Sequence, residues 1–274
     1  MKKKIIKSTV IGAVAALSVL MLIIVLGAFY LLNGFFGNPI SKALAIGGAK
    51  ARLNAEYSDT DFALDDVRYS FKDCCYHAYI ESESSPDSSF TIYLNMGGKP
   101  LYDDFDSRVT ERQNTARRID AEYRAAVNTI IHADSFPYEF DIGYGTLLFD
   151  RDISLRDFPV GTLDEEELVL DKEYDTYQTG KAAGEITLYI QNESATVKRL
   201  AEIILDVKRI FDEGGVAFNS INLVLESKDT DGRVEVMSML YTDIYEDGFL
   251  ERVIASDNAA KEYYRKLDEE KLKY

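Results

Sequence analysis

The chain has no tryptophan, two histidines and two cysteines among 274 residues. Each scarcity removes a class of chemistry. Without tryptophan, a sugar cleft would lack its usual stacking residue and would have to rely on tyrosine. With only His77 and His132, a Ser–His–Asp arrangement has two histidines to choose from, and no Gly-x-Ser-x-Gly elbow accompanies either. No phosphate-cradling or dinucleotide glycine pattern is present. The cysteines, Cys74 and Cys75, are adjacent and lie far beyond the N-terminal apolar run, which argues against a lipoprotein.

Charge is also missing where it matters most. Residues 8–32 hold no charged side chain, and Lys2, Lys3, Lys4 and Lys7 precede them. At about 1.5 Å per residue the run reaches roughly 37 Å as a helix, enough to cross a hydrocarbon core of about 30 Å. A cleaved signal has a shorter apolar region, about 7–15 residues, and a small-x-small exit. This run leaves through Phe29, Tyr30, Leu31 and Leu32. The reading is therefore an uncleaved signal anchor at 8–32, with a cytoplasmic tail at 1–7 and the remainder outside by the positive-inside rule. Lys42, Lys50 and Arg52 follow the run but are more dispersed. Gly12 and Ala16 form a small-xxx-small pair through which two anchors could touch.

The net charge is −16 for the chain and −20 once the four N-terminal lysines are set aside. Such a surface repels nucleic acid and anionic headgroups. It suits cationic partners, divalent ions or plain solubility. A hydrophobic content of 46%, with 18 Tyr and 14 Phe, calls for a packed core.

After the anchor, Asn38-Pro39 opens a helix carrying Ile40, Leu44, Ala45, Ala49, Leu53 and Tyr57, with Gly47-Gly48 weakening its middle. Strands are expected at 62–71, 76–80 and 90–94, followed by a turn at Gly97-Gly98. A long helix is expected over 106–132. The second half should hold a strand at 145–149, an acidic loop at 155–167 and strands at 168–177 and 185–190. A helix with the stripe Val197, Leu200, Ala201, Ile204, Val207, Ile210 and Phe211 should follow, stopped by Gly214-Gly215. A hairpin at 218–226 and 234–241 and a polar helix over 256–272 complete the chain. Residues 41–96 and 195–245 share the order helix, stop, strand, charged turn, strand. The expected fold class is α+β: a transmembrane helix, then two helix-on-antiparallel-sheet units of cystatin-like or PepSY-like shape, divided as 38–135 and 136–274.

Four segments carry a family resemblance. They are Asn38-Pro39-Ile40-Ser41-Lys42, Tyr57-Ser58-Asp59-Thr60-Asp61-Phe62, Val67-Arg68-Tyr69-Ser70-Phe71-Lys72-Asp73 and Ser85-Pro86-Asp87-Ser88-Ser89-Phe90. In order and spacing they resemble the YfjL-like proteins of Gram-positive bacteria, mainly over 38–125. The resemblance implies a membrane-anchored, outward-facing bacterial protein and supplies no catalytic residues. The chain departs from the pattern at Cys74-Cys75, where a turn residue such as Gly is expected.

Several constellations invite chemistry. Cys74 and Cys75 leave open a strained vicinal disulfide, two unpaired thiols or an intermolecular bridge. His77 falls on the strand face of Cys75, which makes two ligands where a structural zinc site needs four. Tyr102-Asp103-Asp104-Phe105-Asp106 is the densest acidic cluster. Asp103, Asp104 and Asp106 are its candidate cation ligands, with Asp106 as a helix cap the alternative. Asp229-x-Asp231-Gly232 resembles part of a calcium loop, but its twelfth position is Leu240, so it reads as a hairpin turn. Tyr241, Asp243 and Tyr245 form an aromatic–acidic stretch suited to a basic or peptide ligand, with strand-end packing as the structural alternative. The expectation is a non-catalytic binding or accessory protein of the bacterial cell membrane, with no cofactor and an envelope protein or peptide as partner. The competing expectation is an envelope hydrolase or metal-dependent enzyme built on the clustered acids, whose paired carboxylates would need to face each other across a cleft.

Overall fold

A computed structural model describes the backbone of residues 2–153 and 159–271, and the side chains of 17–28, 31–151 and 159–269. The tip of the expected polar helix at 272 and residues 155–158 of the expected acidic loop lie outside these residues. So do the side chains of the N-terminal lysines and the packing of the Gly12–Ala16 pair. The chain forms two compact units, residues 1–110 and 111–274.

The first unit begins with helix α1 (Lys2–Phe36), which is long and apolar enough to cross a membrane, a test that signal sequences also pass. Leu17, Met21 and Ile24 on this helix are all more than half exposed. Helix α2 (Pro39–Glu56) follows at once. Asn38 caps it by accepting from the Ser41 amide at 2.8 Å, and Pro39 fills its first turn. Ser41, Ala45, Ala49 and Leu53 recur every four residues and form the buried face. Beneath it lies an antiparallel meander of β1 (Phe62–Ser70), β2 (Cys75–Ser82), β3 (Phe90–Leu94) and β4 (Pro100–Asp103), paired in that order. Strand β4 goes beyond the three strands expected. Four residues beginning with proline give too short an alternation to register. Tyr57, Phe62, Phe90 and Phe105 close one end of the core, with adjacent ring centroids 5.1–6.0 Å apart.

The expected helix over 106–132 is broken. A π turn, Asp106–Thr110, ends the first unit. Arg112 then takes a left-handed φ of 61°, and helix α3 (Gln113–Ile131) starts afresh. Its N-cap is Arg112, with no side-chain cap bond, so Asp106 does not cap it. The division expected at 135/136 falls instead after Thr110. The cause is the stripe Ala116, Ile119, Tyr123, Val127 and Ile131, which packs into the core of the second unit.

That unit continues through β5 (Phe140–Leu147), short α4 (Asp150–Ile153), α5 (Thr176–Ala183), β6 (Gly184–Asn192), α6 (Val197–Glu213), β7 (Ser220–Ser227), β8 (Arg233–Leu240) and α7 (Phe249–Lys271). The strand expected at 168–177 is absent. Its place holds a turn and then α5, capped by Asp175, which accepts from the Tyr177 amide at 2.9 Å. The sheet order is β5-β6-β7-β8. It is mixed where an antiparallel sheet was expected, because β6 and β7 run parallel. Parallel neighbours cannot be joined by a tight turn, and α6 supplies the crossover. Central parallel strands are also covered on both faces, and β6 and β7 are buried along most of their length. The shared order of the two halves is therefore real for α2-β1-β2 and α6-β7-β8, and it stops there. The Asp229–Gly232 segment is a hairpin turn, closed by the Ser227 amide donating to the Gly232 carbonyl at 2.9 Å.

Candidate functional site

The acidic cluster of the first unit is already occupied by arginines. Asp103 Oδ2 accepts from Arg52 Nη2 at 2.6 Å and Nε at 3.0 Å, tying β4 to α2. Asp104 accepts from Arg108 Nε at 2.6 Å and from the Thr91 amide at 2.5 Å. Asp106 is exposed at the start of the π turn. The three side chains thus point to separate tasks rather than to one cation. Among the described residues no group of three or more His, Cys, Asp or Glu is arranged to hold a metal ion. Asp103 also contributes to Tyr57, whose phenol is pushed up to about 12, first by burial and then by that carboxylate.

Cys74 and Cys75 are free thiols, so the vicinal disulfide is not formed. Cys74 sits exposed in the β1–β2 turn with a φ of 52°, while Cys75 begins β2 and is buried. A left-handed φ is the conformation that glycine takes most readily, and here Cys74 takes it. Burial raises the Cys75 thiol above its ordinary range, and the nearby Asp73 adds to this. His77 Nε2 lies 3.0 Å from Asp73, and its ring meets Tyr93 edge-on.

The aromatic–acidic stretch borders a groove. Tyr241 opens a single 3₁₀ turn, Tyr241–Asp243, after β8. Its hydroxyl donates to Asp212 at 2.9 Å and accepts from Lys208 Nζ at 3.0 Å. The Lys208 ammonium also lies 4.1 Å from the Tyr241 ring centroid. Ile244 is buried and Tyr245 is exposed. Arg252, from α7, stacks 3.6 Å from the Tyr245 ring centroid and donates to the carbonyls of Asp243, Tyr245 and Asp247. One guanidinium therefore fixes the whole 243–247 segment.

Between this segment and the outer face of α6 opens a groove of about 760 Å³. Its walls carry Glu202, Asp206, Asp212, Glu213 and Glu246 against Lys208 and Arg209, with Leu205, Ile244 and Tyr245 as the apolar part. Both cations are already engaged. Arg209 bonds Asp206 at 2.5 Å and Glu213 at 2.8 Å, while Lys208 holds Asp212 and Tyr241. Tyr138 donates to Asp206 at 2.7 Å. Burial works to raise the Asp206 carboxyl, but the bonds from Arg209 and Tyr138 outweigh it and leave Asp206 below the usual range. Tyr138 is shifted well upward by burial and by that same carboxylate. Of the three residues singled out in sequence, Tyr245 lines the groove, Tyr241 braces its wall through Lys208 and Asp212, and Asp243 belongs to the clamped segment. The acids of α6 went unnoticed because acids at helical spacing on an outward face look like a solvated surface.

A second hollow, of about 740 Å³, lies between β8 and α7. Two of its carboxylates, Glu235 and Asp257, are buried and matched. Glu235 pairs with Arg233 at 2.6 Å and Asp257 with Lys261 at 2.6 Å, and Asp257 also accepts from the Glu235 amide at 3.1 Å. These bonds add to buried Phe249, Val253 and Ala260 in seating the polar helix α7.

Two family matches bracket this architecture. Residues 13–104 match the YfjL-like N-terminal domain, and residues 122–254 match the YfjL-like C-terminal domain. The division after Thr110 falls in the interval between them. No curated protein and no solved structure matches the chain. The two domains occur in the family's own order on the two units of the fold, and the chain belongs to the YfjL-like family.

Proposed function

We propose that the chain is a single-pass protein of a bacterial cell membrane, held by α1 with its N-terminus inside, whose folded units bind a partner outside without catalysing a reaction. The partner is a basic segment of another envelope protein, received in the groove beside Tyr245. One observation carries this reading. Five carboxylates line that groove; Lys208 and Arg209 pair within it and Arg199 pairs with Glu202 from beside it, which leaves two negative charges in excess. A surplus of negative charge in a concave site concentrates cationic ligands and steers their approach. The Tyr245 ring, half-exposed with Arg252 already stacked on it, supplies its remaining apolar surface to the stem of an arginine or lysine.

The family resemblance supports a Gram-positive source. The helix laid over a four-stranded meander supports a cystatin-like or PepSY-like reading of the first unit alone, since the parallel pair sets the second unit apart. The commitment of Asp103 and Asp104 to arginines weighs against the alternative of an enzyme built on those acids.

The test is a photoreactive side chain at Glu246 in the full-length protein in cells. The expected result is one discrete adduct that disappears when Glu202 and Glu213 are both changed to lysine. An adduct that survives this charge reversal, or none above background, rejects the groove as the binding site.

A further inference from the structure

The first unit carries an exposed apolar patch directly at the end of α1. Phe35 and Phe36, in the last turn of that helix, are 58% and 77% exposed, and Phe71 in the β1–β2 turn is 54% exposed. The Phe35 and Phe71 ring centroids are 6.1 Å apart. Tyr69 donates to the Gly34 carbonyl at 2.9 Å, so the turn is tied to the helix rather than merely near it. Gly37 makes the close approach feasible. Its φ is 66°, and a Cβ there would fall 2.5 Å from the Tyr76 hydroxyl. Single exposed apolar residues are ordinary on soluble surfaces, but a contiguous aromatic patch marks an interaction site.

The occupant follows from continuity with α1. No residue from 8 to 41 is charged. Phe35 lies three residues beyond Leu32, about 4.5 Å further along the helix. The headgroup layer on each side of a bilayer is roughly 5–7 Å thick. With α1 leaving the hydrocarbon at Leu32, the end of the run read as its span, Phe35 lies in that layer, and Phe71 lies beside it. Lys72 follows Phe71 and is exposed, as suits an ammonium reaching past buried rings to the headgroups.

We propose that the β1–β2 turn is a second membrane contact, with Phe71 entering the lipid interface alongside Phe35 and Phe36 at the mouth of α1. This rests on the reading of α1 as an anchor and goes beyond it, since an anchored domain need not touch lipid. It makes the first unit a membrane-seated base rather than a freely tethered one.

The absence of tryptophan makes the test direct, because each introduced indole is the sole one in the chain. The full-length protein is reconstituted in two sets of phosphatidylcholine vesicles, one with acyl chains brominated near the bilayer centre, which reports Leu22, and one near the headgroup end, which reports the turn. Three variants are compared: Leu22→Trp within α1, Phe71→Trp in the turn, and Glu83→Trp beyond the far end of β2, about 25 Å away along the strand. Emission should be lost to the bromines for Leu22→Trp and Phe71→Trp and retained for Glu83→Trp. Quenching of Leu22→Trp without Phe71→Trp overturns the proposal and leaves the anchor intact. The same holds if Phe71→Trp is blue-shifted but unquenched, which means that protein covers the turn. Equal quenching of Phe71→Trp and Glu83→Trp also overturns it, because the sheet then adsorbs as a whole. If Leu22→Trp is not quenched, the anchor reading fails and the proposal falls with it. Lys72→Trp, in the same exposed turn, replaces Phe71→Trp should the latter not fold.

Discussion

The two units each lay helices on a four-stranded sheet, yet they reach that arrangement by different routes. In the first, every strand pairs with its neighbour in sequence, and α2 stands before the sheet. In the second, the central pair is parallel and α6 lies between its strands. The packing differs accordingly. The first unit brings its helix down on small residues, Ala45, Gly48 and Ala49. A Cβ at Gly48 would lie 1.8 Å from the Gly98 carbonyl, so the β3–β4 turn touches the helix backbone itself. The second unit is organised around a large side chain. Tyr123 is fully buried and donates to the Ala217 carbonyl at 3.1 Å. Gly180 and Gly184 clear space for it, since Cβ atoms there would meet its ring at 2.6 Å and its hydroxyl at 2.4 Å. A local topology thus depends on close backbone approach, and a crossover topology on one space-filling residue.

That contrast predicts where damage stays confined. Tyr123→Ala should have the largest effect, about 3–5 kcal/mol, as expected for an aromatic lost from a packed core. Hydrogen exchange in the full-length protein should accelerate across β5 to β8 and remain unchanged in β1 to β4. Acceleration in both sheets would mean that the units do not fold independently, and the comparison would lose its basis.

The mirror experiment belongs to the first unit. Gly48→Ala should cost about 1–3 kcal/mol through overpacking, with faster exchange confined to β1 to β4. Gly47 is the internal control, because a Cβ there meets nothing within 4 Å. Gly47→Ala should stabilise by about 0.5–1 kcal/mol, the usual gain from removing a mid-helix glycine. Opposite signs at adjacent positions would confirm that close approach, not helix propensity, governs this site. Equal signs would refute it.

The same pair of glycines shows how far the sequence could be read. Gly47-Gly48 counts against a helix by propensity, and only the turn pressed on α2 explains why the second glycine is needed there. Hairpins were legible because β2, β7 and β8 alternate or run apolar between turn residues. The parallel partnership of β6 and β7 was not, since an apolar run does not reveal the direction of its neighbour. The helix over 106–132 was read as continuous because nothing in Glu111-Arg112 marks a break. Arginine takes a left-handed φ there only in its tertiary setting, where Arg112 Nε donates to the Leu168 carbonyl at 3.2 Å. At the groove, Tyr241, Asp243 and Tyr245 were visible as a local cluster. Their partners on α6 lie about thirty or more residues away and become neighbours only when β8 returns beside β7.

Helix starts offer a finer comparison. Asn38 caps α2 and Thr196 caps α6, the latter accepting from the Arg199 amide at 3.2 Å. Alanine at either position should cost about 1 kcal/mol, read as a shift in denaturation midpoint. The Tyr76 hydroxyl also bonds the backbone N–H and carbonyl of Asn38, and these bonds survive the substitution. A loss at Asn38 well above that at Thr196 would show that the side-chain cap and the Tyr76 bonds act together.

The smallest effect concerns the groove and is best seen as a pH dependence. Asp206 has a folded-state pKa below its unfolded value of about 3.9. A depressed carboxyl stabilises the fold fully above the unfolded value and loses that contribution as pH falls through the folded one. Asp206→Asn should therefore be less stable than the parent near pH 6, and the gap should close as the pH falls through the lowered folded-state value. The side chain is about a third exposed, so screening holds the difference to roughly 1 kcal/mol or less. The first unit supplies the contrast in Asp61, whose carboxyl is lowered by bonds from Ser84 and Ser82 on a fully exposed surface. Asp61→Asn should follow the same direction with exchange changes limited to β1 and β2, whereas Asp206→Asn should loosen α6 and the 138–140 segment through Tyr138. A gap at Asp206 that widens as the pH falls would mean that the carboxyl is raised rather than lowered. The bonds from Arg209 and Tyr138 would then be too weak to outweigh its burial, and Arg209 would be held in the wall by Glu213 alone.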